Sequence, residues 1–412
     1  MTDWWVWSSP DLVSWTLADV LYPNATPAPP SDYGNCWATD GAHRKNPATG
    51  SWEYFFYMSI GKCQTAVMKS TSGPAGPWDN VLGAPLLNDT LGNSLSPKAC
   101  FRDPAVFEDE DGSHYIISGV FDYYIMKLGA DLVSLAEAPR LVAVHNPTGP
   151  YGAKTDDKPF IHKANGLYYL SWGCFYGISA SVYGPYNYTG SAIDTDFIAP
   201  DFRTNNTQGP WYSHEDYADR HGSFWTAGGQ WFYASNDRSH STDRRNAGVF
   251  RDTVVGYVHY FANSTIAPVA INSTGVGAYA AAHIEAENFM RLAGGARKAH
   301  LPARGDAFVV AVEDPATAAL LYPNVRGAAR RGGGALALVA ANGGGGAATV
   351  TASVGAEKRA AVCSVPPTGG AFVEVRCPLV GRLPADGEAA DVLLTFAGAG
   401  SRLLLDSFSL GT

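Results

Sequence analysis

The sequence predicts an all-β protein, a five-bladed β-propeller followed by a β-sandwich. Three observations predict it: a length of 412 residues, a sharp change in aromatic content along the chain, and a loose repeat in the first part. This length corresponds to two or three domains, each large enough to bury its own core. Of the 50 Phe, Trp and Tyr residues, 44 precede position 282 and six follow it, which predicts domains at 1–281 and 282–412.

An aromatic strand recurs in the first part, each time after a turn of Gly, Asp or Asn. Its four copies lie at 52–57, 114–118, 167–172 and 230–234, and the spacings between Tyr54, Tyr115, Tyr168 and Trp231 are 61, 53 and 63 residues. Such spacings leave room for a four-stranded blade with long loops. Residues 6–15 resemble the second half of one such unit, so five blades are predicted, the first of them incomplete. A generic sandwich or barrel is the alternative.

Short runs of alternating apolar residues mark the second part, at 335–340, 347–354 and 392–396. Gly-rich turns separate these runs, a pattern typical of short strands. This part is therefore predicted to be a β-sandwich. Cys363 and Cys377 stand 14 residues apart around a Pro-Pro-Thr-Gly-Gly turn and are candidates for a disulfide that clips a hairpin.

The composition restricts the partners and the compartment. A net charge of −9 argues against nucleic acid and anionic membranes, which bind basic surfaces. No apolar run approaches the roughly 18 residues of a membrane span, so the chain is expected to be soluble. Its ligand is expected to be neutral, and the protein is expected to be a monomer. The six Cys form no CxxC pair, which argues against zinc.

Six N-x-S/T sequons predict a secreted glycoprotein in which some of the Cys are paired. They stand at Asn24, Asn88, Asn187, Asn205, Asn263 and Asn272. No signal peptide precedes the aromatic residues at the start of the chain, so the start is expected to be cut.

Three aspartates stand where predicted blades begin, a position that would point them into one central channel. Asp103 lies in Arg-Asp-Pro-Ala-Val-Phe, Asp157 in Asp-Asp-Lys-Pro-Phe, and Asp40 in Trp-Ala-Thr-Asp. Each one alone reads more simply as a turn or strand-cap residue. Together, at the same phase of successive repeats, they predict a shared pocket.

These motifs make residues 4–280 resemble glycoside hydrolase family 43, the five-bladed arabinofuranosidases, xylosidases and galactan-active enzymes. The resemblance implies that Asp103 orients the general acid and adjusts its pKa. Asp157-Lys158-Pro159 occupies the place of the family's Glu-Gly-Pro, whose Glu is the acid, with Asn-Gly-Leu-Tyr-Tyr-Leu following at the same distance. Asp thus replaces Glu, and Lys replaces Gly. Glu215 is the alternative candidate for the general acid.

The resemblance also implies inverting hydrolysis, with a protonated acid on one face of the sugar and a water-activating carboxylate on the other. In the family this base is an Asp in the first strand of the first blade, which we expect upstream of Met1. Two interpretations stay open: a truncated hydrolase, or a lectin-like protein that kept sugar binding only. A structural or adhesive propeller without a sugar site is a third.

Ligand-contacting residues are predicted from the same resemblance. His221, in Asp-Arg-His-Gly-Ser-Phe, matches the family's channel-centre His, often beside a calcium ion or a water cluster; a His hydrogen-bonded without metal is the alternative. Trp37 and Trp172 are candidate platforms for a sugar ring, and Arg251 is a candidate donor to its hydroxyls.

The second part begins His-Ile-Glu-Ala-Glu and ends Leu-Leu-Leu-Asp, and so resembles carbohydrate-binding modules of family 6, which are jelly-roll sandwiches. The resemblance implies a structural calcium held by Glu285, Glu287 and Asp406, oxygen ligands of the kind calcium prefers. No organic cofactor is expected. The predicted function is hydrolysis of arabinofuranosyl, xylosyl or galactosyl linkages in polysaccharides.

Overall fold

The computed structural model describes residues 3–150, 152–194, 221–237, 252–272, 274–327, 334–380, 388–398 and 402–411. Nearly all regular structure in these ranges is β-strand, which confirms the predicted all-β class. No helix in the described part of the chain combines the length and hydropathy that a membrane-spanning helix needs. Two compact units share the chain: Met1–Pro10, Ser14–Phe224 and Ala234–Val254 form one, and Asp11–Val13, Trp225–Tyr233 and Val255–Thr412 form the other.

The described residues between Trp4 and Val258 form five separate sheets. Their strands are β1 (Trp4–Ser8) and β2 (Thr16–Leu21); β3 (Thr39–Lys45), β4 (Trp52–Ile60) and β5 (Gln64–Ser70); β6 (Ala105–Glu108), β7 (His114–Val120), β8 (Asp122–Lys127) and β9 (Arg140–Leu141); β10 (Val144–His145), β11 (Pro159–Ala164), β12 (Leu167–Trp172), β13 (Phe175–Ser179) and β14 (Tyr186–Ser191); and β15 (Gly222–Ala227), β16 (Gln230–Asp237) and β17 (Asp252–Val258).

Most neighbouring strands in these sheets are also neighbours in the chain, as in an antiparallel meander. The exception is β10, which pairs in parallel with β14. The four recurring aromatic segments are β4, β7, β12 and β16, the second strands of their meanders. Their burial explains the aromatic repeat, because a strand covered on both faces carries large apolar side chains at nearly every position.

One helix, α1 (Asp89–Leu95), follows the second sheet, and the Asn88 side chain caps it by accepting a hydrogen bond from the Leu91 N–H at 3.0 Å. A disulfide between Cys63 and Cys100 closes the loop that contains α1. Asn88, one of the predicted sequons, thus has a structural role as a helix cap.

The second unit contains a ten-stranded sheet. Its strands are β18 (Tyr279–Ala280), β19 (Ile284–Glu285), β20 (Arg291–Leu301), β21 (Ala307–Arg326), β22 (Ala335–Asn342), β23 (Ala348–Val354), β24 (Glu357–Val365), β25 (Val373–Pro378), β26 (Ala389–Ala397) and β27 (Leu403–Gly411). The main path runs β24-β23-β26-β21-β27-β22-β25. The alternating apolar side chains of β22, β23 and β26 enter one core, as the sequence pattern predicts.

The predicted Cys363–Cys377 disulfide is present, but the predicted hairpin is wrong. Cys363 lies on β24, which pairs with β23, and Cys377 lies on β25, which pairs with β22. These two strands are the opposite ends of the main path. The bond therefore joins the two ends of the sheet, a relation that the short spacing in the chain conceals.

Candidate active site

The strands β3, β6, β11 and β15, together with the residues just before them, line one cavity of about 250 Å³. Asp40, Asp103, Lys158 and His221 lie on its wall, each from a different sheet. These four residues therefore occupy equivalent positions in successive sheets, since each lies at or just before the start of one of the four strands. The cavity is open to solvent on one side and is smaller than the roughly 300–1,000 Å³ typical of sites for drug-sized ligands, so it suits a small ligand.

Asp40 is the second residue of β3, and its carboxylate is fixed by backbone donors. Oδ2 accepts a hydrogen bond from the Val106 N–H of β6 at 2.7 Å, and Oδ1 accepts one from the Gly41 N–H at 2.8 Å. Burial raises the pKa of Asp40 to about 6, although these two donors oppose the rise by stabilising the ionised form. Asp40 is therefore a rigid acceptor on the cavity wall.

Asp103 is almost fully buried and stands two residues before β6. Its backbone has φ of +54°, and its N–H donates to Ser59 Oγ at 2.7 Å. Burial and the neighbouring Asp157 carboxylate raise the pKa of Asp103 to about 7, while Arg102, with its Nε 3.8 Å from Oδ2, opposes the rise. Asp103 is thus able to hold a proton near neutral pH, as a proton donor in catalysis must.

Lys158 joins two carboxylates just before β11. Its Nζ lies 2.6 Å from Asp156 Oδ2 and 2.6 Å from Asp157 Oδ1, and its own side chain is about 95% buried. Burial alone would raise the pKa of Asp157, but His221 and the Lys158 ammonium together hold it well below its usual range. Burial raises the pKa of Asp156 despite the same ammonium. Asp157 is therefore the ionised member of the group.

His221 stands immediately before β15 and is held there by Asn236 of β16. The Asn236 side-chain oxygen accepts a hydrogen bond from the His221 N–H, and the Asn236 N–H donates to the His221 carbonyl at 3.0 Å. The ring Nε2 lies 3.8 Å from Asp157 Oδ1. One ligand-type atom from each of Asp103, Asp157 and His221 lies within 4.8 Å of the others, the only such group of three among the described residues.

Asp103 and Asp157 form an unequal pair of carboxyls. At this separation both cannot easily be ionised together, so one proton is held between two groups whose environments differ. An inverting acid and base need to be about 6.5–9.5 Å apart, with a water between them. The ligand atoms of Asp103 and Asp157 are too close for that, so the two are not the acid and base of an inverting pair, and Asp103 is the member that can donate a proton.

A sequence-family comparison identifies the framework around this pair. The family model described as "Glycosyl hydrolases family 43" matches residues 1–248, more than half of the chain. The chain belongs to glycosyl hydrolase family 43. The family resemblance predicted from the sequence is thereby confirmed, and with it the assignment to the glycosidases.

Curated relatives agree with this family. The chain is 28% identical over 289 residues to β-D-galactofuranosidase xynD of Aspergillus niger, an alignment that covers 65% of this chain and 75% of that protein. It is 27% identical to an arabinoxylan arabinofuranohydrolase of Paenibacillus polymyxa, with 46% of this chain and 34% of that protein covered. The chain thus spans only about a third of the Paenibacillus enzyme.

Among solved structures, a family 43 arabinoxylan arabinofuranohydrolase from Bacillus subtilis in complex with cellotetraose is similar to the whole chain. The TM-score is 0.54 at 21% identity, with 100% of this chain and 88% of that chain covered. At this identity the likeness shows a shared fold and leaves the substrate of this chain to other arguments.

The two predicted aromatic platforms lie away from the cavity wall. Trp172 ends β12 with no exposed surface, and its indole N–H donates to the Thr148 carbonyl at 2.8 Å. No ring face is left for a sugar, so the platform role assigned to Trp172 is replaced by a role in packing. Trp37 has the Arg102 guanidinium 5.1 Å above its ring and precedes the wall residue Ala38. Arg251 lies outside the described residues, as does Glu215.

The three carboxylates predicted to hold calcium in the second unit are engaged in different ways. Glu285 pairs with His283 at 2.9 Å, and Asp406 pairs with Arg304 at 3.2 Å. Glu287 is about 92% buried, and its Oε2 accepts no hydrogen bond from the part of the chain that the structure describes. Burial and repulsion from Glu285 and Asp406 raise the pKa of Glu287 to about 8. Calcium binding there stays a prediction.

Sequence reasoning missed the structural roles of three residues. Ser59 holds the Asp103 backbone, and Asp156 shares the Lys158 ammonium. Ser235 places on the cavity wall a buried hydroxyl that has no hydrogen-bond partner among the described residues. Ser59 and Ser235 lie on strands whose motif residues are aromatic, so no pattern marked them. Asp156 was detectable as the neighbour of Asp157, but nothing in the sequence says which of the two carboxylates lies beside His221.

Proposed function

We propose that this chain removes single furanosyl residues, arabinofuranosyl or galactofuranosyl, from the ends or side branches of polysaccharides. The observation that carries the proposal is the protonatable Asp103 on the wall of a small open cavity, with the ionised Asp157 beside it. Two further points support it: a cavity of about 250 Å³ suits one sugar ring, and the curated relatives are named as furanosidases. Xylosyl and galactosyl linkages are the competing substrates of the same reaction class.

In this proposal Asp103 and Asp157 act together on the leaving oxygen. Asp103 supplies the proton, and Asp157 stays ionised beside it, because the Lys158 ammonium and the neighbouring His221 ring favour its carboxylate. Asp40, rigid and on the same wall, accepts hydrogen bonds from sugar hydroxyls. Asn236 and the buried Ser235 hydroxyl complete the polar surface that a sugar requires.

A direct test compares hydrolysis of 4-nitrophenyl arabinofuranoside, galactofuranoside, xyloside and galactopyranoside by wild type, Asp103→Asn and Asp157→Asn. We expect the two furanosides to be cleaved fastest and each variant to lose at least about 100-fold in kcat, the scale of general acid catalysis. Asp79→Asn, at an exposed position, is the control and should retain wild-type activity. Cleavage unaffected by both variants would remove the pair from catalysis, and faster cleavage of a pyranoside would overturn the furanosidase assignment.

A second candidate function is sugar binding without hydrolysis. It is favoured by one observation: among the described wall residues only Asp40 and Asp103 carry carboxyls, and Asp103 is committed to the pair with Asp157. If the chain binds arabinose or galactofuranosides by calorimetry but cleaves none of the four substrates, and binding is lost in Asp40→Ala, the lectin-like function is correct.

We infer a five-bladed propeller for the first unit and a β-sandwich carbohydrate-binding module for the second. Support for the propeller comes from the five separate sheets of the described residues and from the convergence of the leading strands of four of them on one cavity. Support for the sandwich comes from the disulfide between the ends of the ten-stranded sheet and the single core. Affinity electrophoresis of the full chain in arabinan and galactan gels tests whether any module binds polymer, because binding retards migration.

We propose that the protein is a secreted, monomeric glycoprotein. Four sequon asparagines, Asn24, Asn187, Asn263 and Asn272, are exposed, and two disulfides are present. Expression through a eukaryotic secretory route, followed by enzymatic removal of N-glycans, should shift the mass at these positions. Light scattering should give one chain per particle.

A further inference from the structure

Lys158 combines a costly backbone conformation with an almost fully buried ammonium. Its φ of +71° lies in the left-handed region, where the backbone of a non-glycine residue is strained. A glycine would adopt this conformation freely. Both the strained backbone and the burial of a charge are unfavourable, so we expect the Lys158 side chain to have a compensating role at this position.

The ammonium provides the positive charge of an otherwise acidic cluster. Asp103, Asp156 and Asp157 contribute three carboxyls, whereas the cations that the described part of the chain places within ion-pair distance are Lys158 and Arg102. Without Lys158, the three carboxyls would face one guanidinium among these residues. The ligand atoms of Asp103, Asp157 and His221 lie less than 5 Å apart, and such a carboxylate-rich group is the setting in which a divalent cation binds.

The family resemblance implied a calcium ion beside His221, and the residues present do not fit one. Asp157 Oδ1, the oxygen that lies 3.8 Å from His221 Nε2, already has the Lys158 Nζ at 2.6 Å. A cation cannot approach that oxygen on the same side without meeting the ammonium. His221 also offers nitrogen, whereas calcium selects oxygen ligands.

We propose that the Lys158 ammonium is the built-in cation of this site: it takes the position of a divalent ion among Asp103, Asp157 and His221. The cluster then binds no metal while Lys158 is present. Removal of the ammonium exposes two carboxylates and an imidazole to an incoming ion and creates a divalent cation site. This inference does not depend on the substrate or on hydrolysis.

Metal titration of chelator-treated full-length protein tests the inference. Calorimetry with Ca²⁺ and with Mn²⁺ compares wild type, Lys158→Gly and Lys158→Met; the first variant also relieves the backbone, and the second keeps the apolar stem. We expect each variant to bind one equivalent more than wild type, and Mn²⁺ to bind more tightly than Ca²⁺, because one donor is imidazole. Lys98→Met, at an exposed position, is the matched control and should leave the stoichiometry unchanged.

The added site must disappear when Asp157→Asn is combined with either Lys158 variant, which separates it from any calcium bound by the second unit. Circular dichroism and the Tm establish that each variant is folded. Wild-type protein is informative by itself: if it binds a divalent ion whose stoichiometry falls by one in Asp157→Asn, the inference is wrong. It is equally wrong if a folded Lys158 variant gains no site.

Discussion

Replacing Asp103 by Asn should stabilise the protein at alkaline pH. The pKa of Asp103 is raised from 3.8 to about 7, a difference of about three pH units, and each unit corresponds to about 1.4 kcal/mol. In the folded protein this carboxyl keeps a proton that the unfolded chain releases between about pH 4 and pH 7. Stability is therefore lost as the pH rises through that window, and the full cost is reached above pH 7.

The full cost is about 4 kcal/mol at pH 8 and about 2 kcal/mol at pH 5, by the same linkage. We expect about half of it to be recovered in Asp103→Asn, because solvent in the cavity screens the charge and the variant loses the ion pair with Arg102. A gain of about 2 kcal/mol at pH 8 corresponds to a rise in Tm of roughly 4–8 °C for a domain of this size.

Thermal unfolding monitored by circular dichroism at pH 5 and pH 8 measures this effect, with Asp79→Asn as the exposed control. The Asp103→Asn variant should have the higher Tm at pH 8, and its advantage should shrink at pH 5. A variant that is less stable than wild type at pH 8, or an advantage that does not change with pH, would refute the account of Asp103 as a buried, protonated carboxyl.

Three other expectations concern stability. Glu53→Gln should lower the free energy of unfolding by about 3 kcal/mol near pH 7, because buried Glu53 pairs with Arg44 and Lys69. These partners lower the pKa of Glu53 to about 2, so the difference in stability between variant and wild type should fade as the pH falls from 4.5 to 2. Urea unfolding measures this difference. The double change Cys63→Ser and Cys100→Ser opens a 37-residue loop and should cost about 4 kcal/mol in the chain-entropy model, measured as a drop in the urea midpoint. Trp172→Ala should cost about 3–5 kcal/mol, and Trp172→Phe should lower Tm while leaving KM unchanged.

Each of these has an outcome that contradicts it. A Glu53→Gln deficit that grows toward pH 2 would mean that its carboxylate is not the stabilised form. Unchanged unfolding of the double Cys variant, with loss of the bond verified by mass spectrometry, would contradict the loop-entropy argument. A tenfold rise in KM without a change in Tm for Trp172→Phe would restore that ring as a sugar platform.

Much of the fold was predictable because it depends on local periodicity. The recurring aromatic strands were located correctly as β4, β7, β12 and β16, since strands covered on both faces need large apolar side chains. The disulfide between Cys363 and Cys377 was also predicted, but its position across the ends of a sheet was not. Strand order depends on contacts distant in the chain, and residue spacing carries no record of them.

The sequence predicted which acidic residues form the site better than it predicted their burial and charge. The motifs around Asp40, Asp103 and Asp157 marked three carboxyls at the starts of repeats, and Asp40 and Asp103 do line one cavity. The sequence predicted that Trp172 binds sugar, because the sequence does not show whether an aromatic ring is buried or exposed. The charge states could not be predicted for the same reason, because a pKa depends on burial and on neighbours from other strands.

By itself, the sequence determined the all-β class, the family and the identity of the acidic residues, because strand periodicity and short motifs are written in consecutive positions. Only the tertiary structure decided that the pKa of Asp103 is raised whereas that of Asp157 is lowered. That division depends on the burial of Asp103 and on the contacts of Asp157 with Lys158 and His221, which come from two different sheets. Electrostatic free energies follow distance and burial in space, and those quantities exist only after the chain has folded.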